Sequence, residues 1–337
     1  MNNSLASSRL KQVLIINPIL IEVILTVNFT ILTEAVGIVG IVGNVISILN
    51  FRKQGYKDGF NVTLTALAVS DLGMLITHQV ILQIYNPWLD ESSLVMLKPH
   101  MLLFVIYVND FFNRVSGFVT ACAAFERCLC VVLPMKVKLL MTRRVATVVN
   151  ISIFVALIAY VILPNSLVYV GSKYLPDYNR TFAYVYYREN REAVMNIYYL
   201  VNALFFPNLT MLMLMVFTLI LITKLKSNSE WRHKVSNPKS RGKNSVNYKE
   251  RNAIAMLATM SGIYIVCLIP RSALLLADGL FEEMKVGGIY FDLNKLVYSF
   301  LILFEAINCS VNSIIYFKMS SKYREVFYQM CLWWNKK

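Results

Sequence analysis

Seven long stretches of apolar residues follow one another along the chain, and short polar connections separate them. The stretches run approximately over residues 24–51, 60–85, 101–133, 145–170, 193–223, 252–277 and 296–317. A helix needs about 20 apolar residues to cross the hydrocarbon core of a bilayer, where every backbone polar group must be paired within its own segment. The pattern therefore predicts an all-α protein, a bundle of seven transmembrane helices that we call spans one to seven.

The composition also indicates a chain that is surrounded by lipid. Hydrophobic residues make up 57% of the 337 residues and charged residues only 15%. A soluble domain is about 45–50% apolar and about 25% charged. Seven spans with short connections account for nearly the whole length, so we expect no large soluble domain.

Lysine and arginine are distributed unevenly between alternate connections. Twenty-one lie after spans one, three, five and seven, and eight lie in the amino-terminal tail and the other connections. Because cytoplasmic loops carry the excess of these residues, we expect a multi-pass protein of the plasma membrane with its amino terminus outside the cell. The net charge of +14 then reflects loops beside the anionic inner leaflet and does not indicate nucleic-acid binding.

We expect the chain to divide into three parts. Residues 1–23 form an extracellular tail without a cleaved signal peptide, residues 24–318 form the membrane domain, and residues 319–337 form a short cytoplasmic helix and tail. Apolar residues recur at helical spacing in the last part, which is typical of an amphipathic helix on a membrane surface. Its Cys331 is a candidate for palmitoylation or is an ordinary free thiol. Asn2 and Asn179 begin glycosylation sequons on the expected outer side.

Polar residues inside membrane spans are costly and usually mark function. Five groups of them occur in order: Gly43-Asn44 in span one, Asp71 in span two, Glu126-Arg127-Cys128 in span three, Tyr264 to Pro270 in span six, and Asn308 to Tyr316 in span seven. In this order and spacing the set resembles the rhodopsin-like (class A) G-protein-coupled receptors over about residues 24–334. The residues after span three resemble those of invertebrate orphan and chemosensory receptors of molluscan type.

The resemblance implies a switch at the cytoplasmic ends of the spans. Arg127, with Glu126 as its neighbouring acid, would pair in the resting state with Glu250 at the base of span six. A G protein would insert once this charge-assisted contact breaks. The alternative is that Arg127 and Glu250 are solvated charges at the membrane interface. The remaining switch residues that the resemblance implies are Tyr264, Pro270, Asn312 and Tyr316.

A second implied site lies in the middle of the membrane. Asp71, Ser116, Asn308 and Asn312 match the positions that line a sodium-and-water pocket in that family. One carboxylate with a hydroxyl and two amides supplies oxygen ligands that suit a hard cation. The alternative is a protonated aspartic acid within a hydrogen-bonded core.

Charged and amide side chains also lie in the outer halves of spans three, six and seven. They are Asn109, Asp110, Asn113, Arg114, Arg271 and Glu305, with His78 and Gln79 on span two as weaker candidates. Asp110 and Arg114 have the spacing and order of an intrahelical ion pair, and Arg271 can face Glu305 across a cavity. Charges at this depth must pair or face water, so they either contact a polar or zwitterionic ligand or form internal salt bridges.

The sequence also departs from the pattern of the family that it resembles. Leu102 stands where the usual disulfide cysteine of span three is expected, and Leu268 and Ser313 replace a tryptophan of span six and a proline of span seven. Asn109 stands where amine receptors carry an aspartate, which disfavours an amine ligand. Ala306 stands where opsins carry the retinal lysine, which disfavours a photoreceptor.

These observations favour a receptor that is surrounded by membrane lipids, binds an extracellular ligand and activates a heterotrimeric G protein. The ligand is either a peptide or a small polar chemosensory molecule. A seven-span transporter or channel for a small polar solute is the alternative, although the internal repeats typical of transporters are not seen. We expect no enzyme, because the three histidines are scattered and no pair of protease aspartates occurs. We expect no cofactor beyond the sodium ion.

Overall fold

The seven predicted spans are present as helices. The computed structural model describes residues 17–56, 59–85, 98–133, 141–175, 180–235, 241–284 and 288–334. It leaves out the side chains of residues 18, 85, 98–100, 160, 175, 180, 182, 183, 199, 203, 225–235, 241–250, 278, 279, 282, 291, 333 and 334. Within these residues, seven helices are long and apolar enough to cross a membrane: Ile19–Gln54, Gly59–Ile84, Met101–Val132, Arg143–Ser166, Phe206–Lys224, Arg251–Ala277 and Asp292–Met319. The predicted bundle of seven transmembrane helices is therefore confirmed.

Span one is longer than the sequence suggested. It comprises an α-helix over Pro18–Thr26, a π-helical segment over Val27–Thr33 and an α-helix over Glu34–Gln54. The side chain of Asn17 accepts a hydrogen bond from the backbone N–H of Ile19 at 3.0 Å, and a proline suits the first helical position. This cap starts the helix six residues before the expected residue 24.

Spans two and three are single helices over Gly59–Tyr85 and Lys98–Val132. Span four consists of Arg143–Leu157 and Ala159–Ser166, and Thr142 caps it by accepting a hydrogen bond from the N–H of Val145 at 3.3 Å.

The predicted end of span four at residue 170 is wrong, because a β-hairpin follows directly. Strand β1 covers Val168–Leu175 and pairs antiparallel with strand β2 over Arg180–Tyr187. Both strands are rich in β-branched and aromatic residues, which favour extended structure, and the rings of Tyr169 and Tyr186 stack with centroids 5.4 Å apart.

The remaining helices complete the bundle. Span five comprises Arg191–Leu200, a π-helical segment over Val201–Phe205, and Phe206–Val235. Span six covers Arg241–Leu280 and contains Pro270, a short 3₁₀ turn covers Glu282–Met284, and span seven covers Phe291–Met319. The carboxyl-terminal helix covers Ser321–Trp334. We call the end of the bundle with the β-hairpin the outer end, and the end with the carboxyl-terminal helix the inner end.

Large apolar side chains fill much of the interior, glycine and polar residues lie at several contacts between helices, and many other apolar residues face outward. A Cβ atom on Gly40 would lie 2.0 Å from the Ser310 hydroxyl oxygen, so only glycine allows spans one and seven to approach this closely. Asn44 donates a hydrogen bond to the backbone carbonyl of Cys309 at 2.9 Å across the same interface. Residues such as Val39 and Ile151 are more than half exposed, as expected for side chains that face lipid.

The carboxyl-terminal helix packs against span one. The hydroxyl of Tyr323 lies 2.9 Å from the hydroxyl of Ser47, and Asn50 donates to the backbone carbonyl of Tyr323 at 2.9 Å. Tyr323 is buried, whereas Cys331 is exposed. The expected amphipathic character of this helix thus has a structural basis, since its buried side is fixed to the bundle.

Candidate functional site

The centre of the outer half of the bundle is a cluster of charges around Arg271 of span six. One of its terminal nitrogens donates to Asp110 of span three at 2.6 Å, and the other donates to Glu305 of span seven. The three side chains are between 8% and 13% exposed. One arginine therefore holds carboxylates from two neighbouring helices.

Neighbouring side chains extend this cluster into spans two, three and five. His78 lies 3.5 Å from Glu305, and Asn113 donates to Glu305 at 3.0 Å. Asn202 donates to Asp110 at 3.3 Å and accepts a hydrogen bond from the Nε of Arg114 at 3.0 Å. We call Asp110, Asn113, Arg114, Asn202, Arg271 and Glu305 the outer network. It links spans three, five, six and seven through buried polar contacts.

The direct Asp110–Arg114 ion pair that the sequence spacing suggested is not formed. Asn202 stands between the two side chains, and it lies in the π-helical segment of span five. Such a segment inserts an extra residue into the helical turn and commonly occurs at functional positions. It brings the amide of Asn202 to the polar face of span three.

The other candidates at the outer end have structural partners. Asn109 donates to the backbone carbonyl of Met74 at 3.1 Å and to the hydroxyl of Thr77 at 2.8 Å. Gln79 donates to the backbone carbonyl of Glu34 at 3.4 Å. These contacts join spans two and three and spans one and two. Asn109 therefore lies beside the outer network but is not bonded to it.

A small cavity lies between the outer network and the middle of the bundle. Its walls include Asn113, Tyr264, Leu268, Glu305 and Asn308. The phenolic oxygen of Tyr264 approaches Gly117, where an added Cβ would lie 2.2 Å from it. Glu305 thus has contacts with the network on one side and faces this cavity on the other.

The mid-membrane cluster is compact. Asp71 is completely buried and accepts hydrogen bonds from the hydroxyl of Ser116 at 2.6 Å and from the amide of Asn312 at 2.7 Å. Asn308 lines the cavity instead. Three of the four expected residues are therefore in direct contact.

The four expected side chains comprise a carboxylate, a hydroxyl and two amides, whose oxygens are the ligand types that hard cations prefer. In this structure Ser116 and Asn312 donate hydrogen bonds to Asp71, and Asn308 lies at the cavity. Among the described residues, no group of three or more His, Cys, Asp or Glu side chains is placed to hold a metal ion. A single carboxylate matches the charge of sodium better than that of a divalent ion.

At the inner end, the acid and the base of the Glu126-Arg127 pair have separate contacts. Glu126 is buried and accepts a hydrogen bond from the hydroxyl of Thr63 at 2.6 Å, and Thr63 in turn accepts one from Asn150 at 3.1 Å. The guanidinium carbon of Arg127 lies 3.5 Å from the centroid of the Phe60 ring. Both contacts fix the end of span three to span two.

The remaining switch candidates lie in the helices as expected. Glu250 belongs to the span-six helix, but its side chain is outside the described part of the structure. Tyr316 is almost completely buried between the rings of Phe51 and Tyr323, at centroid distances of 5.2 and 5.8 Å. Its hydroxyl has no hydrogen-bond partner among the described residues.

One comparison with known proteins identifies the family. A family model described as "Serpentine type 7TM GPCR chemoreceptor Srw" matches residues 27–334. The chain belongs to this family. It is therefore a multi-pass membrane protein of the Srw chemoreceptor type, whose members act as receptors for extracellular ligands and as partners of G proteins. No curated protein matches the chain. The narrower resemblance to rhodopsin-like receptors of molluscan type stays a prediction.

Several polar contacts of this Srw receptor involve residues that were not singled out from the sequence. Asn202 joins the outer network, and Thr63 and Asn150 hold Glu126. All three are polar residues within spans, which is itself a signal of function or of helix association. Phe60 carried no such signal, because an aromatic residue at the end of a span is common. Asn2 and Asn179 lie outside the described residues.

Proposed function

We propose that this Srw receptor binds a polar extracellular ligand at the outer network and transmits the signal to a heterotrimeric G protein. The observation that carries the proposal is the position of Arg271, which contacts Asp110 of span three and Glu305 of span seven. A polar ligand that contacts any of these groups changes the forces between three helices at once.

The chemistry of the network suggests how binding acts on span six. Charge-assisted hydrogen bonds are stronger than neutral ones, and a buried charge that loses its partner is destabilised. A ligand with a charged or zwitterionic group replaces one partner of Arg271 and satisfies the group that is released. We propose that span six then shifts relative to spans three and seven, which favours the active state.

At the inner end, we propose that the contacts of Thr63 with Glu126 and of Phe60 with Arg127 hold span three in its resting position. The proposed pairing of Arg127 with Glu250 would add a contact to span six. A G protein at the inner end would meet Arg127 after it leaves the Phe60 ring. Tyr264, Pro270, Asn312 and Tyr316 are proposed to take part in the same transition.

We further propose that a sodium ion bound by Asp71, Ser116, Asn308 and Asn312 stabilises the resting state. Thermal unfolding of the purified receptor tests this, with sodium compared with an equal concentration of N-methylglucamine. We expect sodium to stabilise the wild type and not the Asp71→Asn variant. Equal unfolding of the wild type in both salts would support the hydrogen-bonded core instead.

The proposed orientation places the β-hairpin outside the cell and the carboxyl-terminal helix in the cytoplasm, following the distribution of lysine and arginine. With this orientation Asn2 and Asn179 are proposed glycosylation sites and Cys331, which is exposed, is a proposed palmitoylation site. Glycosidase treatment of the expressed protein tests the glycosylation. Acyl-exchange labelling, compared between the wild type and the Cys331→Ser variant, tests the palmitoylation.

Nucleotide exchange on reconstituted G proteins tests the main proposal. The receptor is placed in lipid nanodiscs with purified heterotrimers and exposed to pools of peptides, amino acids and odorants. We expect one pool to accelerate exchange in the wild type and to lose its effect in the Glu305→Gln variant. A pool that is taken up by receptor vesicles while no G protein responds would indicate a transporter instead.

A further inference from the structure

A groove between spans two and four opens towards the lipid. Val62, Ala66 and Val69 of span two form one wall, and Ile151 and Phe154 of span four form the other. Its volume is about 320 Å³. The neighbouring residues Val148 and Val155 of span four are both 63% exposed and have the spacing of one helix face. The groove therefore opens into the hydrocarbon region, where lipid is the only solvent.

A cationic group lies at the inner end of this apolar groove. Arg143, in the first turn of span four, lines the groove, and its guanidinium carbon lies 5.9 Å from the ring centroid of Tyr56. Among the described residues, no carboxylate forms an ion pair with Arg143 and no acidic residue lines the groove. The groove therefore has an apolar wall and a single exposed cation at its inner end.

The position of Arg143 in its helix adds a second reason to expect an anion. Arg143 and Arg144 begin span four, and the first turn contains no acidic residue. The start of a helix carries a partial positive charge, and cations there are unfavourable unless an anion neutralises them. Arg143 thus adds a positive charge to a helix start without a neutralising acid, beside the apolar groove.

We propose that this groove binds an anionic phospholipid, with an acyl chain between spans two and four and the phosphate at Arg143. The apolar walls of the groove, which open towards the lipid, favour an acyl chain. The exposed guanidinium selects a charged headgroup, because a sterol hydroxyl lacks the negative charge that complements it. The inner end also faces the anionic leaflet in the proposed orientation.

The groove is connected to the inner contacts of span three. Asn150 lines the groove and donates a hydrogen bond to Thr63, which donates to Glu126. A lipid that holds spans two and four together therefore also supports the contact of Glu126. We expect the bound lipid to stabilise the resting state of the receptor.

Titration of the detergent-purified receptor with lipids of one acyl composition measures the headgroup preference. Dioleoylphosphatidylserine and dioleoylphosphatidylcholine are added separately, and native mass spectrometry counts bound lipids. We expect the wild type to bind phosphatidylserine more tightly and Arg143→Gln to reduce that affinity about fivefold, the effect of one basic residue beside an anionic surface. Arg144→Gln, which does not line the groove, is the matched control.

A second variant tests the groove itself. Val69 is 40% exposed at the groove wall, so Val69→Phe fills part of the groove from the lipid side without entering the bundle core. We expect it to reduce phosphatidylserine binding while the receptor stays monodisperse. The proposal fails if the two lipids bind equally to the wild type, if Arg144→Gln weakens binding as much as Arg143→Gln, or if cholesterol, which has no charge, competes fully with phosphatidylserine.

Discussion

Replacing Arg271 by glutamine is the most direct perturbation of the outer network. The change removes the only cation that contacts Asp110 and Glu305 among the described residues, apart from His78 beside Glu305. Removing one partner of a buried ion pair costs about 3–5 kcal/mol. The two carboxylates keep hydrogen bonds from Asn202 at 3.3 Å and Asn113 at 3.0 Å, so we expect a value near the lower limit, about 3 kcal/mol.

This free energy corresponds to a change of roughly 150-fold in the ratio of folded to unfolded receptor. Unfolding by a denaturing detergent, followed by tryptophan fluorescence, measures it. Glu305→Gln leaves the contact of Arg271 with Asp110 intact, and we expect a smaller loss of about 1–3 kcal/mol, as for one hydrogen bond to a charged group. The ranking of the two variants follows from the geometry of a single arginine between two acids.

An exposed ion pair on span seven supplies the control. Lys295 lies 2.8 Å from Asp292, and their side chains are 48% and 63% exposed. Such a pair contributes about 0–1 kcal/mol, so Lys295→Gln should leave unfolding nearly unchanged. If Arg271→Gln costs no more than Lys295→Gln, Arg271 does not hold the helices and the reasoning about span six is refuted. Basal nucleotide exchange should rise in Arg271→Gln and stay unchanged in the control.

Three further changes test contacts elsewhere in the bundle. Phe60→Leu removes the ring that contacts the span-three arginine. Because such a cation–π contact contributes about 1 kcal/mol to the proposed resting state, we expect its loss to raise basal nucleotide exchange about fivefold. Thr63→Val removes the hydrogen bond to the buried glutamate of span three and should lower the free energy of unfolding in detergent by about 1–3 kcal/mol. The hydroxyl of Thr65 bonds only to its own helix, so the control Thr65→Val should lower it less. Gly40→Ala forces a Cβ against Ser310 and should destabilise by about 1–3 kcal/mol, and Ser310→Ala in the same chain should restore part of the loss.

The helical architecture could be predicted because burial in lipid imposes one simple rule on the sequence. A span must be apolar over about 20 residues and must pair its own backbone groups, so hydropathy alone located all seven helices. The boundaries were less accurate. The cap at Asn17 extends span one, and the hairpin after Ser166 begins within an apolar run, where hydropathy does not distinguish a strand from a helix.

The site was predicted only in part, because the sequence names polar residues but not the contacts between helices. The charges of spans three, six and seven were identified, yet Asn202 was not, since its approach to Arg114 depends on a π-helical segment. The intrahelical spacing of Asp110 and Arg114 suggested a pair that the structure replaces by a bridge. Sequence spacing within one helix cannot anticipate a partner that a neighbouring helix contributes.

The β-hairpin after span four is held without a disulfide. All six cysteines are free, and Leu102 stands where the receptors that the sequence resembles usually carry the cysteine of such a disulfide. Val185 is buried at 3% exposure, and the guanidinium carbon of Arg191 lies 4.0 Å from the ring centroid of Tyr187. The described part of the hairpin therefore stays on the bundle through noncovalent contacts, and we expect a reducing agent to leave these contacts unchanged.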